Sequence, residues 1–208
     1  MSTAAKIAEF IDYITPGQLF TTKDCLSFGT RGAVDHVLYV MVKTNVIVRA
    51  ADGLFYKPGP ETEGPSKLEI VTAKASVFGR KLMTRARDFA KQLGLLEEDP
   101  ESYKYAINGS SSSFVLRESG QRVYLQGISE RKTALAASRA GTAILALWHM
   151  GEVALSKQTL TKATSGFDRS DQYEFHNSIQ KMPAWLGNFV YRSAKSMPKH
   201  PTGSITAV

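Results

Sequence analysis

The dipeptide Asp52-Gly53 lies between VIVRAA and LFYKP, a setting that few backbone geometries satisfy. β-Branched and aromatic residues favour strands on both sides, and Asp-Gly is a strong signal of a two-residue hairpin turn. Two antiparallel strands joined at Asp52-Gly53 are therefore expected. Upstream, Ile7, Phe10, Ile11 and Ile14 recur at helical spacing over residues 3–14, and Pro16-Gly17 stops that helix. Gln18-Leu19-Phe20 reads as a short extended piece. Thr21 or Thr22 can cap a second helix through about Leu26, Ser27-Phe28-Gly29 forms a tight turn, and Thr30 caps a third helix to about Thr44. Asn45 tolerates the left-handed conformation of a helix end. Three helices followed by a hairpin is the layout of a winged helix-turn-helix.

Downstream, Pro58, Gly59, Pro60, Gly64 and Pro65 crowd a segment without apolar periodicity, which reads as a linker over 59–66. A helix is expected in KLEIVTAKASVFG, with Leu68, Val71, Ala75 and Phe78 on one face, and another over about 84–93, ended by Gly94. Strands are expected at 104–108, 112–118 and 121–128, the last two joined as a hairpin through Glu118-Ser119-Gly120. From about residue 138 the pattern is helical again through SRAGTAILALWHM, QTLTKAT and SDQYEFHNSIQKM, with one further turn in NFVYRSA after Pro183. The expected class is α+β: a winged helix-turn-helix domain over 1–58, then a mixed α/β domain over 67–194 with a small antiparallel sheet and helices. Residues 195–208, with two prolines and no core pattern, read as a flexible tail.

Several function classes lose support at once. The longest apolar run, residues 143–148, is far shorter than the roughly 18–20 residues of a membrane span. The N-terminus lacks the basic segment, continuous apolar block and cleavage site of a secretory signal, so a cytoplasmic location is expected. The single cysteine, Cys25, can form no intramolecular disulfide, and His36, His149, His176 and His200 show no metal-ligand or base-nucleophile spacing. Trp148-His149 reads as core with a satisfied imidazole. Gly109 to Ser113 lacks the Gly-Lys-Ser/Thr ending of a phosphate loop and reads as a connection between strands. No metal, cofactor or catalytic set is expected.

Net charge is +7, which favours an acidic or polyanionic partner. Its distribution is uneven. Residues 1–58 hold six Lys/Arg against five Asp/Glu, whereas Lys74, Arg80, Lys81, Arg85, Arg87 and Lys91 stand against Asp88 alone. That basic run suits a nucleic acid or an acidic protein, or is a solvated helix face. In the third helix, Val34, Val37, Leu38 and Met41 share one face. Thr30, Arg31, Asp35, His36 and Tyr39 fall on the other, where they could meet base edges if the helix lies in a DNA groove. Lys23, Lys43, Arg49 and Lys57 are the candidate phosphate contacts. The same pattern also fits a solvated helix in an interaction domain.

The stretch GQLFTTKDCLSFGTRGAVDHVLYVMVKTNVIVRAADGLFYKP resembles the N-terminal domain of the AbiEi abortive-infection antitoxins and related antitoxin-like regulators. Phe20, Thr21, Asp24, Ala33, Val34, Leu38, Arg49, Gly53, Phe55 or Tyr56, and Pro58 carry the likeness, and KASVFGRKL, AINGSSSSF, ALWHMG and MPAWL extend it. The resemblance implies a bacterial antitoxin whose winged helix binds double-stranded DNA in its own promoter and represses it. Its C-terminal domain would counter a cognate nucleotidyltransferase toxin, the antitoxin itself being no enzyme. Val40, Asn45, Val46, Val48 and Asp52 depart from the family's basic or glycine residues, which implies weaker phosphate binding. The alternative is a protein-interaction module that keeps the scaffold without reading DNA. Monomer and dimer stay equally open.

Overall fold

Ser2 starts the first helix by accepting a hydrogen bond from the Ala5 amide at 3.2 Å, which satisfies one of the free donors of the opening turn. In the computed structural model, which describes residues 1–60, 63–97 and 103–195, this helix is α1 (Thr3–Tyr13). It is followed by β1 (Leu19–Thr21), a 3-10 helix (Thr22–Phe28), α2 (Arg31–Lys43), β2 (Val48–Ala51) and β3 (Leu54–Tyr56). The expected order of three helices and a hairpin is thus found, with the middle helix in the tighter 3-10 form. Asp24 accepts from the Thr21 amide at 2.7 Å and from its hydroxyl at 2.9 Å, fixing that helix start. Asn45, at φ 57°, closes α2 in the left-handed region.

The three strands form an antiparallel sheet in the order β1-β3-β2, with Phe20 opposite Phe55. Ile7, Ile11, Phe20, Cys25, Val34, Leu38, Ile47 and Phe55 make one core beneath α1 and α2. The register between β2 and β3 shifts between Arg49 and Ala51, and Ala50, Ala51 and Leu54 turn to a different core. The hairpin therefore serves two cores at once.

That second core joins the hairpin to α3 (Lys67–Ser76) and to a four-stranded sheet of β4 (Leu82–Met83), β5 (Lys104–Asn108), β6 (Ser112–Val115) and β7 (Arg122–Ile128). The strand order is β4-β5-β7-β6, and β5 runs parallel to β7. The expected small antiparallel sheet is corrected to a mixed one, and β4 was not expected. β6 and β7 do form the expected antiparallel pair, with Phe114 opposite Val123. In α3 the buried stripe is Ile70, Val71 and Ala75, while Leu68 and Phe78 are exposed, so the expected face is rotated. Ser66 and Glu69 cap this helix reciprocally, the Ser66 amide donating to Glu69 at 2.7 Å.

The chain divides into two compact units: the described residues of Met1–Met83 with Glu101–Ile128, and those of Thr84–Pro100 with Ser129–Val208. This grouping departs from a boundary at 59–66. Residues 58–60 and 63–65 are irregular as expected, but the segment they belong to connects elements of one unit because the hairpin and α3 bury apolar surface against each other. The backbone adds to this, Arg117 N donating to Ala50 O at 3.0 Å.

The second unit is helical. It holds α4 (Ala86–Gln92), α5 (Glu130–Leu135), α6 (Arg139–Met150), α7 (Lys157–Ala163), α8 (Arg169–Asn177) and α9 (Ala184–Lys195), with 3-10 turns at Glu152–Ala154 and Ser178–Lys181. Residues 143–147 of α6 are all buried, as befits a helix apolar almost all round. Phe89, Leu160, Phe175, Met182, Leu186 and Val190 pack in the same core. Where one turn was expected after Pro183, α9 runs to Lys195, since Leu186 and Val190 bury one side of it. The expected flexible tail lies, from residue 196, outside the described residues. Among the described residues no helix is long and apolar enough to cross a membrane.

Candidate nucleic-acid interface

Helix α2 divides its residues as its periodicity requires. Val34 and Leu38 are buried, Val37 and Met41 are half-buried against the same core, and Arg31, Asp35, His36, Tyr39 and Lys43 are exposed. Thr30 caps the helix, its hydroxyl accepting from the Ala33 amide at 3.4 Å. Opposite the exposed face stands the hairpin, held by the Thr22 amide donating to Gly53 O at 3.1 Å. Between them runs a groove of about 350 Å³ whose lining includes Arg31, Asp35, Tyr39, Arg49 and Phe55. Three of the five candidate base-facing residues and one of the four phosphate candidates are therefore gathered there. Thr30 and His36 lie on the exposed helix outside that lining.

Inside the groove the charges largely cancel. Arg31 Nε donates to Asp35 Oδ2 at 2.8 Å, and both side chains are more than half exposed. Arg49 lies 3.2 Å from Asp52 Oδ1 and 5.9 Å from the centre of the Phe55 ring. Lys43 Nζ sits 5.6 Å from the Tyr39 ring centre, at the end of α2 where a cation also suits the helix dipole. Lys23 and Lys57 are drawn elsewhere. Lys23 Nζ donates to Val77 O at 2.8 Å and lies over Phe78, and Lys57 Nζ donates to Asp12 O at 3.3 Å.

The hairpin tip is docked. Arg117 pairs with the Asp52 carboxylate, and Lys74 Nζ donates to the Asp52 carbonyl. The hydrogen bond from Arg117 holds the Asp52 carboxyl below the usual carboxylate range, and burial pushes the Lys74 ammonium below its usual value. Arg117 is a residue the sequence reading missed. No local pattern links positions 65 apart in the chain.

No protein-family model matches the chain, and no curated protein is significantly similar to it.

The basic run from Lys74 to Lys91 is divided between the two units. Lys74, Arg80 and Lys81 belong to the first, and Arg85, Arg87 and Lys91 to the second. Lys74 is turned to the hairpin tip, and Arg80 Nη1 donates to Ser110 O at 2.8 Å and Ser112 Oγ at 2.9 Å, tying down the serine loop. Arg85 grips Asp88 with a fork, Nε to Oδ2 at 2.8 Å and Nη2 to Oδ1 at 2.7 Å, which lowers the Asp88 pKa. Lys81 is exposed.

His149 is exposed at the end of α6 and is not a core imidazole; partial desolvation, then the neighbouring Arg87 and Lys132, push its pKa down. Trp148 is half-buried against the helical core, with Arg131 and Lys132 at 4.7 and 4.5 Å from its ring centre. Cys25 is fully buried, and burial followed by the Asp24 charge pushes its thiol up to about 11, so the thiol is protonated at neutral pH.

Proposed function

We propose that residues 1–58 act as a winged helix-turn-helix and that α2 reads duplex DNA through Thr30, Arg31, Asp35, His36 and Tyr39. Lys43 and Arg49 supply backbone contacts. On this reading the chain is a cytoplasmic bacterial antitoxin and autorepressor. The C-terminal helical unit counters a nucleotidyltransferase toxin, and no catalytic role falls to the antitoxin itself. The observation that carries the DNA-binding part is the solvent-facing side of α2 lining a groove with Arg49 of the hairpin. The antitoxin part draws on the order of sequence motifs.

The test is a binding titration against the DNA upstream of the chain's own reading frame. Arg31→Ala should flatten preference among sequences, while Lys43→Ala should weaken all DNA alike. No sequence-selective, salt-sensitive binding at submicromolar protein would reject the reading.

The docked, acid-neutralised hairpin tip favours a second reading, a protein-interaction module on the same scaffold. Under it, reversing charge at Arg85 and Arg87 abolishes co-purification with a neighbouring toxin, and the unaltered protein shows no sequence-selective binding to DNA.

A further inference from the structure

The first unit contains a second and larger cavity, a cleft of about 810 Å³ bounded by β2, the start of α3 and the turn after β6. Its volume lies in the range of sites that enclose small organic ligands. Arg49, Lys67 and Arg117 line it against one acidic residue, Glu118, and Tyr56 and Tyr103 provide aromatic wall. Two of those cations already show what they recognise. Arg49 and Arg117 converge on the same oxygen of Asp52, a carboxylate whose side chain is 68% exposed. A guanidinium carries five donors in a fork suited to two oxygens, so a single shared carboxylate oxygen leaves most of that capacity unspent. Exposed pairs of this kind are weak, and Asp52 is not part of the cleft lining, so an oxyanion entering the cleft can draw Arg49 and Arg117 away from it. Lys67 stands 4.1 Å from the Tyr103 ring centre, placing a third positive charge against an aromatic face at the same cleft.

We infer that this cleft binds a small organic anion bearing a flat ring, with its phosphate or carboxylate on Arg49 and Arg117 and its ring against the tyrosine wall. The inference rests on the cleft and shares only Arg49 with the DNA reading. A ring without charge would leave the guanidinium fork unused, and an anion without a ring would make no use of the tyrosines.

Calorimetric titration of the full chain tests it with four probes: adenosine monophosphate, indole-3-propionate, adenosine and inorganic phosphate. The expected result is saturable binding of one or both ring-bearing anions, with adenosine and phosphate at least about tenfold weaker. Preference between the first two identifies phosphate or carboxylate as the natural group. Arg117→Ala should weaken the bound probe about tenfold or more and Arg117→Lys less, each checked for folding by circular dichroism. Photo-crosslinking with 8-azidoadenosine monophosphate, where the nucleotide binds, should label a peptide containing Tyr56 or Tyr103. The inference is overturned if neither ring-bearing anion binds below about 1 mM. It is equally overturned if phosphate or adenosine alone matches them, if folded Arg117→Ala binds like the unaltered chain, or if crosslinks fall in the helical unit.

Discussion

Replacing Gly32 by alanine separates what α2 does for the fold from what it does for a partner. Gly32 is the second residue of the helix, on the solvent side, and a Cβ built there meets nothing within 4 Å. Glycine inside a helix costs about 0.5–1 kcal/mol relative to alanine, and near the first turn the lower figure applies. Gly32→Ala should therefore stabilise the first unit by about 0.5 kcal/mol, raising its midpoint by about 2–4 °C for a domain of this size. Both tryptophans, Trp148 and Trp185, belong to the second unit, so the melt must be followed by far-ultraviolet circular dichroism or by hydrogen exchange at α2. DNA binding should move the opposite way. A recognition helix brings its first turns closest to the base edges, and a methyl group forced into a packed interface costs about 1–3 kcal/mol. That is a loss of about 5- to 150-fold in affinity, read by fluorescence anisotropy. A fall in stability would show that the helix face is not open as described. A gain in stability with unchanged DNA affinity would show that this end of α2 touches no DNA.

Asp35→Asn should change stability by no more than about 0.5 kcal/mol, because the pair with Arg31 is exposed. It should raise DNA affinity several-fold at low salt by freeing Arg31, and an anisotropy titration without any rise would place Arg31 away from the DNA. In the second unit, a Cβ on Gly141 would overlap the Leu135 carbonyl at the end of α5. Gly141→Ala should cost about 1–3 kcal/mol by overpacking, and tryptophan fluorescence in a urea titration will detect it; an unchanged midpoint refutes the tight approach of α5 to α6. Asp52 gives a pH signature. Its folded pKa is depressed, so its contribution is fully present above the unfolded carboxylate value of about 3.9 and is lost as pH falls through the folded value. Exposure limits that contribution to below about 1 kcal/mol. Melting points of the unaltered chain and Asp52→Asn should differ at pH 6 and converge in strong acid, and a gap that persists there contradicts the ionic origin.

The parts of the fold readable from the sequence are those with local causes. Pro16-Gly17, Thr30, Asn45 and Asp52-Gly53 each restrict their own φ and ψ, and the elements they bound were expected within a residue or two. What could not be read depends on distant neighbours. Leu68, Val71, Ala75 and Phe78 satisfy helical spacing as well as Ile70, Val71 and Ala75 do, and only packing against the hairpin selects the latter. Alternation in Arg122–Ile128 marks a strand whose Val123 and Leu125 face inward, yet says nothing of which strand lies beside it, so the parallel pairing with β5 was invisible. α5 and β4 are too short to leave a periodic trace. In the candidate site, the exposure of Arg31, Asp35 and Tyr39 followed from periodicity, whereas the capture of Asp52 by Arg117 and of Lys23 by Val77 rests on contacts made only in the folded chain.

Those captures set how steeply DNA binding should depend on salt. Of the candidate cations in the first unit, Arg31 and Arg49 line the groove and Lys43 stands beside Tyr39 on the same helix. Lys23 and Lys57 donate to the Val77 and Asp12 carbonyls, and Lys74 to that of Asp52. With Arg31 on base edges, the two phosphates met by Lys43 and Arg49 correspond to a slope of log K against log salt of about −1.8, since each releases about 0.9 counterion. Arg49 must also exchange Asp52 for phosphate, a swap between weak exposed pairs that lowers affinity without adding to the slope. Affinities measured between 50 and 300 mM salt should therefore fall along a slope of about −2. A slope of about −5 or steeper would mean that further cations, such as Arg85, Arg87 and Lys91 of the helical unit, also lie on the DNA. A slope near zero would remove phosphate contact altogether and leave the α2 groove as a protein-binding surface.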